Sequence, residues 1–85
     1  MDINIIFLEK ANQIKTLNLD NISNEKKLKI YGLYKQATEG DCNINEPFSF
    51  RIKEHAKWNA WNENKNMSQD DAKKQYISEV ESIIS

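Results

Sequence analysis

Ser23-Asn24-Glu25-Lys26-Lys27-Leu28-Lys29-Ile30-Tyr31-Gly32-Leu33-Tyr34-Lys35-Gln36-Ala37-Thr38-Glu39-Gly40 reads as one amphipathic helix. At about 100° per residue, Leu28, Ile30, Tyr31, Leu33, Tyr34 and Ala37 fill a wide apolar arc. Ser23 is placed to cap the first turn, and Gly40 supplies the left-handed residue that ends many helices. The helix is expected to run to about Thr38, with Glu25, Lys29 and Gln36 on its polar side. Lys35 is the oddity, because it falls inside the apolar arc beside Tyr31 and Leu28.

Outward from this stretch, three more helices follow from the same period. Ile3, Phe7, Ala11 and Ile14, with Ile6 and Leu17, form a stripe that predicts a helix from Ile3 to Leu17, capped by Asp2. The Asn-rich segment from Asn18 to Asn24 breaks it. Downstream of Gly40, the segment Glu39 to Phe50, with the only proline at Pro47, is a long connection of the kind that crosses a structure or serves function. A third helix is expected over Ile52 to Asn64, with Asn66 as a left-handed C-cap. Ser68-Gln69-Asp70-Asp71 has the capped, acidic start of a fourth, whose stripe is Ala72, Tyr76, Val80 and Ile83, with Ile77 alongside. The expectation is an all-α fold of four helices in one domain spanning residues 1–85.

Composition narrows the function. Eighty-five residues are too few to give two domains a core each. With only two Gly and one Pro, little interrupts the helical pattern. A net charge of −1 means that an anion site must come from local placement of lysines and not from the field of the whole molecule. The run Glu25-Lys26-Lys27-Leu28-Lys29 is too short to make a nucleic-acid surface, so no nucleic acid is expected. The one cysteine, Cys42, has no intrachain partner and fits a reducing compartment. The start Met1-Asp2-Ile3-Asn4 lacks the order of a signal peptide, which points to the cytoplasm. No metal-ligand cluster, nucleophile elbow or phosphate loop is present, and His55 falls with Asn59 and Asn62 on a polar face. Neither a catalytic nor a metal site is expected.

The lysines carry the functional signal. Lys53 and Lys57, one turn apart, fall between Ala60 and the aromatics Trp61 and Phe50, and Lys15 sits at the border of the first stripe beside Ala11. A lysine on an apolar face can lay its stem on hydrophobic surface and snorkel its ammonium into water. Alternatively, four such lysines on three helices, with tyrosines interleaved, can serve a multiply anionic ligand that binds a largely apolar surface.

Longer motifs add to this reading. Tyr31-Gly32-Leu33-Tyr34-Lys35-Gln36-Ala37-Thr38, then Gly40-Asp41, then Lys57-Trp58-Asn59-Ala60-Trp61-Asn62 resemble the signature of the acyl-CoA-binding protein family. Met67-Ser68 and Ala72 through Tyr76-Ile77 continue the similarity along essentially the whole chain. The resemblance implies an up-down-down-up four-helix bundle and a non-enzymatic carrier of medium- to long-chain fatty acyl-CoA esters. It implies ligand contacts at Lys15, Tyr31, Gly32, Leu33, Tyr34, Lys35, Lys53, Lys57 and Tyr76. Of these, Tyr31, Lys35 and Lys57 are expected to hold the adenine and the ribose 3′-phosphate, with Lys15 and Lys53 at the rim. It implies a cytoplasmic monomer without a cofactor, whose ligand is long-chain acyl-CoA, and leaves room for transient membrane contact. The chain departs from the family pattern at Lys27, Phe48, Asn66 and Lys73. Two rivals stand beside this reading. A thioesterase would need an activated nucleophile or base near the thioester, and a protein-interaction module would use the helical surface instead of the ligand site.

Overall fold

In the computed structural model, which describes residues 2–84, four helices follow in order. They are α1 (Ile3–Ile14), α2 (Asn24–Glu39), α3 (Ile52–Asn62) and α4 (Gln69–Ile84), and no strand occurs among the described residues. The expected caps are in place. The Asp2 carboxylate accepts from the Asn4 amide at 2.9 Å, Ser23 Oγ from the Lys26 amide at 3.2 Å, and Ser68 Oγ from the Asp71 amide at 3.0 Å. Gly40 and Asn66 both adopt positive φ, 81° and 74°.

Two helices end earlier than the periodicity suggests, for the same reason. After Ile14 the Thr16 and Leu17 amides bond three residues back, to Gln13 O and Ile14 O, while the Thr16 hydroxyl also donates to Gln13 O at 2.8 Å. The last turn is thereby tightened and the α-helix closed. After Asn62, Asn64 and Lys65 bond three residues back in the same way before Asn66 turns the chain.

Cross-helix contacts give the directions. Asn4 meets Lys73, Phe7 meets Tyr76 and Lys10 meets Glu81, so α1 and α4 run parallel. Gln69 meets Ala37, and Lys26 meets Glu79 and Ser82, so α2 runs against α4. Lys57 lies by Tyr31 and Lys35 by Trp61, which makes α3 parallel to α2. The bundle is therefore up-down-down-up. The connection from residue 40 to residue 51 must return the length of α2, about 24 Å for its 16 residues. A dozen extended residues can reach roughly 40 Å.

Phe7, Ala11, Ile30, Leu33, Ala37, Ala72, Tyr76 and Val80 form the apolar core. Trp61 is 2% exposed and donates to Gly40 O at 2.8 Å, and Trp58 donates to Ile44 O at 2.9 Å, so both tryptophans pin the crossover to α3. Gln36 differs from the wheel reading. Its side chain is fully buried and donates to Asp41 Oδ1 and Met67 O, both at 2.8 Å. The polar side of α2 is covered at this point by the crossover and the turn before α4. Asp41 also accepts from the Asn66 amide, and the bonds from Gln36 and Asn66 hold its carboxyl below the ordinary value. His55 is half-buried, bonding Glu46 at 2.7 Å and Asn59 at 3.1 Å, and it too fastens the crossover. No described helix is long and apolar enough to cross a membrane.

Glu79 yields a pH prediction. Hydrogen bonds from Lys29 and then Lys26, at 3.0 and 3.2 Å, hold its carboxyl below the ordinary 4.5. A depressed folded-state pKa means that the contribution is present above the unfolded value and lost as pH falls through the folded one. The urea midpoint should therefore drop between pH 5 and pH 3 (about the window of carboxylate titration). Glu79→Gln should remove part of that drop and cost about 0.5–1 kcal/mol at pH 7. A midpoint whose acid limb is unchanged by Glu79→Gln would assign the drop to other carboxylates.

Candidate functional site

Parallel packing of α2 and α3 creates the site. The two backbones pack directly against each other where Gly32 meets Ala60, with no room between them for even one side-chain carbon. A Cβ on Gly32 would lie 2.1 Å from Ala60 O. Toward the helix N-termini the seam opens on both sides, and Leu28 and Ala56 line both grooves.

One groove, about 370 Å³, has an apolar floor of Leu28, Ile52 and Ala56 and a rim of Lys27, Lys53, Lys57 and Tyr31. Among the described residues no carboxylate lines it. Lys57 Nζ stands 5.6 Å from the centre of the Tyr31 ring, a cation–π distance. Among the described residues Lys27, Lys53 and Lys57 make no ion pair with a carboxylate, whereas Lys10, Lys26, Lys29 and Lys35 do. Ile52 is 77% exposed, so the floor of this groove keeps apolar surface in water. The opposite groove is larger, about 540 Å³, but Glu25 and Glu63 line it, which suits it poorly to a polyanion.

Lys35 lies one turn beyond Tyr31. Its ammonium bonds Glu39 at 2.5 Å and sits 5.2 Å from the Trp61 ring centre. The Glu39 bond raises the Lys35 pKa, so the side chain stays cationic. Glu39, one helical turn on at i+4, is thus the partner of the lysine that the wheel places inside the apolar arc.

The nine residues expected at the site separate into groups. Tyr31, Lys53 and Lys57 share the groove, with Lys35 next to it. Gly32 faces Ala60 and Leu33 is 1% exposed in the core, so within Tyr31 to Lys35 the open side chains are Tyr31, Tyr34 and Lys35. Tyr34 is 41% exposed and lies against Phe7 and Tyr76, at 5.8 and 5.9 Å between ring centres. Tyr76 is 2% exposed, and burial pushes its hydroxyl up to about 12. Lys15, the C-cap of α1, and Tyr76 do not line the groove. Ile52 and Ala56 were not among the expected contacts. Lys27, where the chain departs from the family pattern on the face that the resemblance gives to the acyl chain, lines this groove, four residues before Tyr31 as Lys35 stands four after it.

A family model described as Acyl CoA binding protein matches residues 5–80. An acyl-CoA-binding protein of Dictyostelium discoideum is 44% identical over 77 residues, covering 91% of this chain and 90% of its own. Acyl-CoA-binding protein homolog 1 of Caenorhabditis elegans is 44% identical over 78 residues, 92% of this chain and 90% of its own. The crystal structure of Oryza sativa Acyl-CoA-Binding Protein 2 superposes with a TM-score of 0.92 at 41% identity, covering 96% of this chain and 88% of the rice chain.

Proposed function

Because the chain belongs to the acyl-CoA-binding protein family, we propose that it binds medium- to long-chain fatty acyl-CoA esters, buffers them and carries them within the cell. It performs binding and no catalytic step. The observation that supports this site most is the Tyr31–Lys57 pair at the end of an apolar groove whose rim lysines have no carboxylate partner among the described residues. Tyr31 offers a face for the adenine. Lys57 and Lys35 take the ribose 3′-phosphate, Lys35 exchanging Glu39 for a stronger anion. Lys53 serves the rim, Lys15 at the end of α1 is a further contact on the strength of the family resemblance alone, and Tyr76 backs Tyr34 from the core. A phosphomonoester carries about −1.5 to −2 charges. The acyl chain contributes separately at about 0.8 kcal/mol per buried CH₂. Half of a palmitoyl chain would thus supply roughly 5 to 6 kcal/mol.

A single domain, working as a cytoplasmic monomer, completes the proposal. Transient membrane contact belongs to it as well. Phe48 and Phe50 stack at 5.6 Å and are 71% and 74% exposed, just before Ile52 of the groove, a surface suited to a lipid interface.

Calorimetric titration with palmitoyl-CoA, CoA, palmitate and palmitoyl-dephospho-CoA tests the binding function. Palmitoyl-CoA should bind far more tightly than CoA, and palmitate should hardly bind. Removing the 3′-phosphate should weaken binding at least about tenfold to a hundredfold, since charged hydrogen bonds are worth roughly 1.5–3 kcal/mol each. Equal affinity for palmitate and palmitoyl-CoA would make the protein a generic lipid binder. Indifference to the 3′-phosphate would remove Lys35 and Lys57 from that role.

A further inference from the structure

Tyr31, Lys35 and Lys57 account for the nucleotide end of the ligand, and Lys27 is left over. It is half-buried one turn toward the start of α2, on the face that carries Tyr31, about 6 Å along the axis from it. Across the groove stands Lys53, beside the apolar floor of Leu28 and Ile52. Two ammonium groups without a carboxylate partner among the described residues thus share the end of the groove farthest from Lys35. Like charges that line one cleft disfavour each other, and an anion between them removes the penalty. The parallel starts of α2 and α3 lie at this same end, so their positive dipole ends add to the potential. An uncharged methyl terminus gains nothing from these groups.

We propose that the distal end of the acyl groove is a second anion subsite, formed by Lys27 and Lys53. Through it, the protein favours acyl-CoA esters whose chain ends in a carboxylate over methyl-terminated esters of equal length. Lys27 is the specificity-determining residue. The proposal rests on the acyl-CoA reading of the groove and deepens it. The carboxylate sits at the mouth, within reach of both ammonium groups and still hydrated, while the methylenes before it cover Leu28 and Ile52.

The test pairs dodecanedioyl-CoA with dodecanoyl-CoA, and hexadecanedioyl-CoA with palmitoyl-CoA, by calorimetry on wild type, Lys27→Met and Lys27→Gln. Two uncharged replacements guard against one that folds poorly, and circular dichroism of each confirms the helices. Wild type should bind at least one dioyl ester about threefold to tenfold more tightly than its methyl-terminated partner. Both variants should shift that ratio by about tenfold toward the methyl-terminated ester. A wild type that prefers the methyl-terminated member of both pairs overturns the subsite, and so does a ratio that the variants leave unchanged. Equal weakening of both esters and of free CoA overturns it too, because Lys27 would then serve the head group. Failure of all four esters to bind wild type would overturn the acyl-CoA reading itself, and the subsite with it.

Discussion

Replacing Gly32 by alanine should destabilise the protein by about 2–3 kcal/mol and weaken acyl-CoA binding with it. Two effects oppose each other at this position. Alanine is the better helix former, by roughly 0.5–1 kcal/mol over glycine. Against that, its Cβ would lie 2.1 Å from Ala60 O and 2.6 Å from Ala60 C. An ordinary carbon–oxygen contact is about 3.3 Å or longer, and both obstructing atoms are backbone, so no rotamer change relieves the clash. α3 must recede from α2 by about an ångström, and the packing around Trp61 loosens. Overpacking typically costs about 1–3 kcal/mol, occasionally more, and an unyielding backbone contact sits at the upper end. Over a domain of this size the net loss should lower Tm by about 10–20 °C. The groove is built from the same two helices, so affinity should fall together with stability. Urea and thermal unfolding of Gly32→Ala measure the first, and palmitoyl-CoA titration the second. Gly40→Ala is the comparison. Gly40 has a φ of 81° and a ψ of −153°, a region essentially reserved for glycine, and nothing lies within 4 Å of an added Cβ, so only backbone strain of about 1–3 kcal/mol should appear there, with binding preserved. Wild-type stability in Gly32→Ala would mean that α2 and α3 lie farther apart than described.

The number of helices, their phases and most of their caps were legible because those signals are local. A 3.6-residue stripe, an Asp, Ser or Gly at its ends and a long proline-containing gap survive in one dimension. The directions of the helices did not come from periodicity. They came from the family resemblance, and residue contacts such as Tyr31 with Lys57 establish them. What stayed hidden depends on neighbours remote in sequence. Gln36 looked solvent-facing because nothing in α2 reveals that Asp41 and Met67 cover it. Gly32 was expected at the site through the resemblance, and its second role, letting the Ala60 backbone approach, was not visible in the sequence. The early ends of α1 and α3 turn on three-residue bonds that periodicity does not register. At the site, the wheel placed Lys35, Lys53 and Lys57 in one class. The structure divides them, since Lys35 has Glu39 and Trp61 while the other two have no carboxylate partner among the described residues.

That division sets the expected behaviour of the lysine variants. Lys57 is exposed, and its recorded partner is the face of Tyr31. An exposed cation–π contact is worth about 0.5–1 kcal/mol, and methionine keeps most of the stem's contact with the ring. Lys57→Met should therefore leave the empty protein within about 0.5 kcal/mol of wild type. Its acyl-CoA affinity should fall about tenfold to a hundredfold, the worth of one hydrogen bond to a charged phosphate. Lys35 should behave differently. Lys35→Met gives up an i,i+4 ion pair worth about 0.3–0.5 kcal/mol and the contact over Trp61, so the empty protein should lose about 1 kcal/mol. The Glu39 carboxylate left behind is also close to the 3′-phosphate that Lys35 would hold. Its repulsion adds to the lost bond, so the affinity of Lys35→Met should fall at least as far as that of Lys57→Met. Lys35→Met combined with Glu39→Gln should recover part of that affinity. Urea unfolding of the empty variants beside palmitoyl-CoA titration separates the two quantities. Stability lost in both single variants with affinity unchanged would make these lysines structural, snorkelling groups and would move the 3′-phosphate elsewhere.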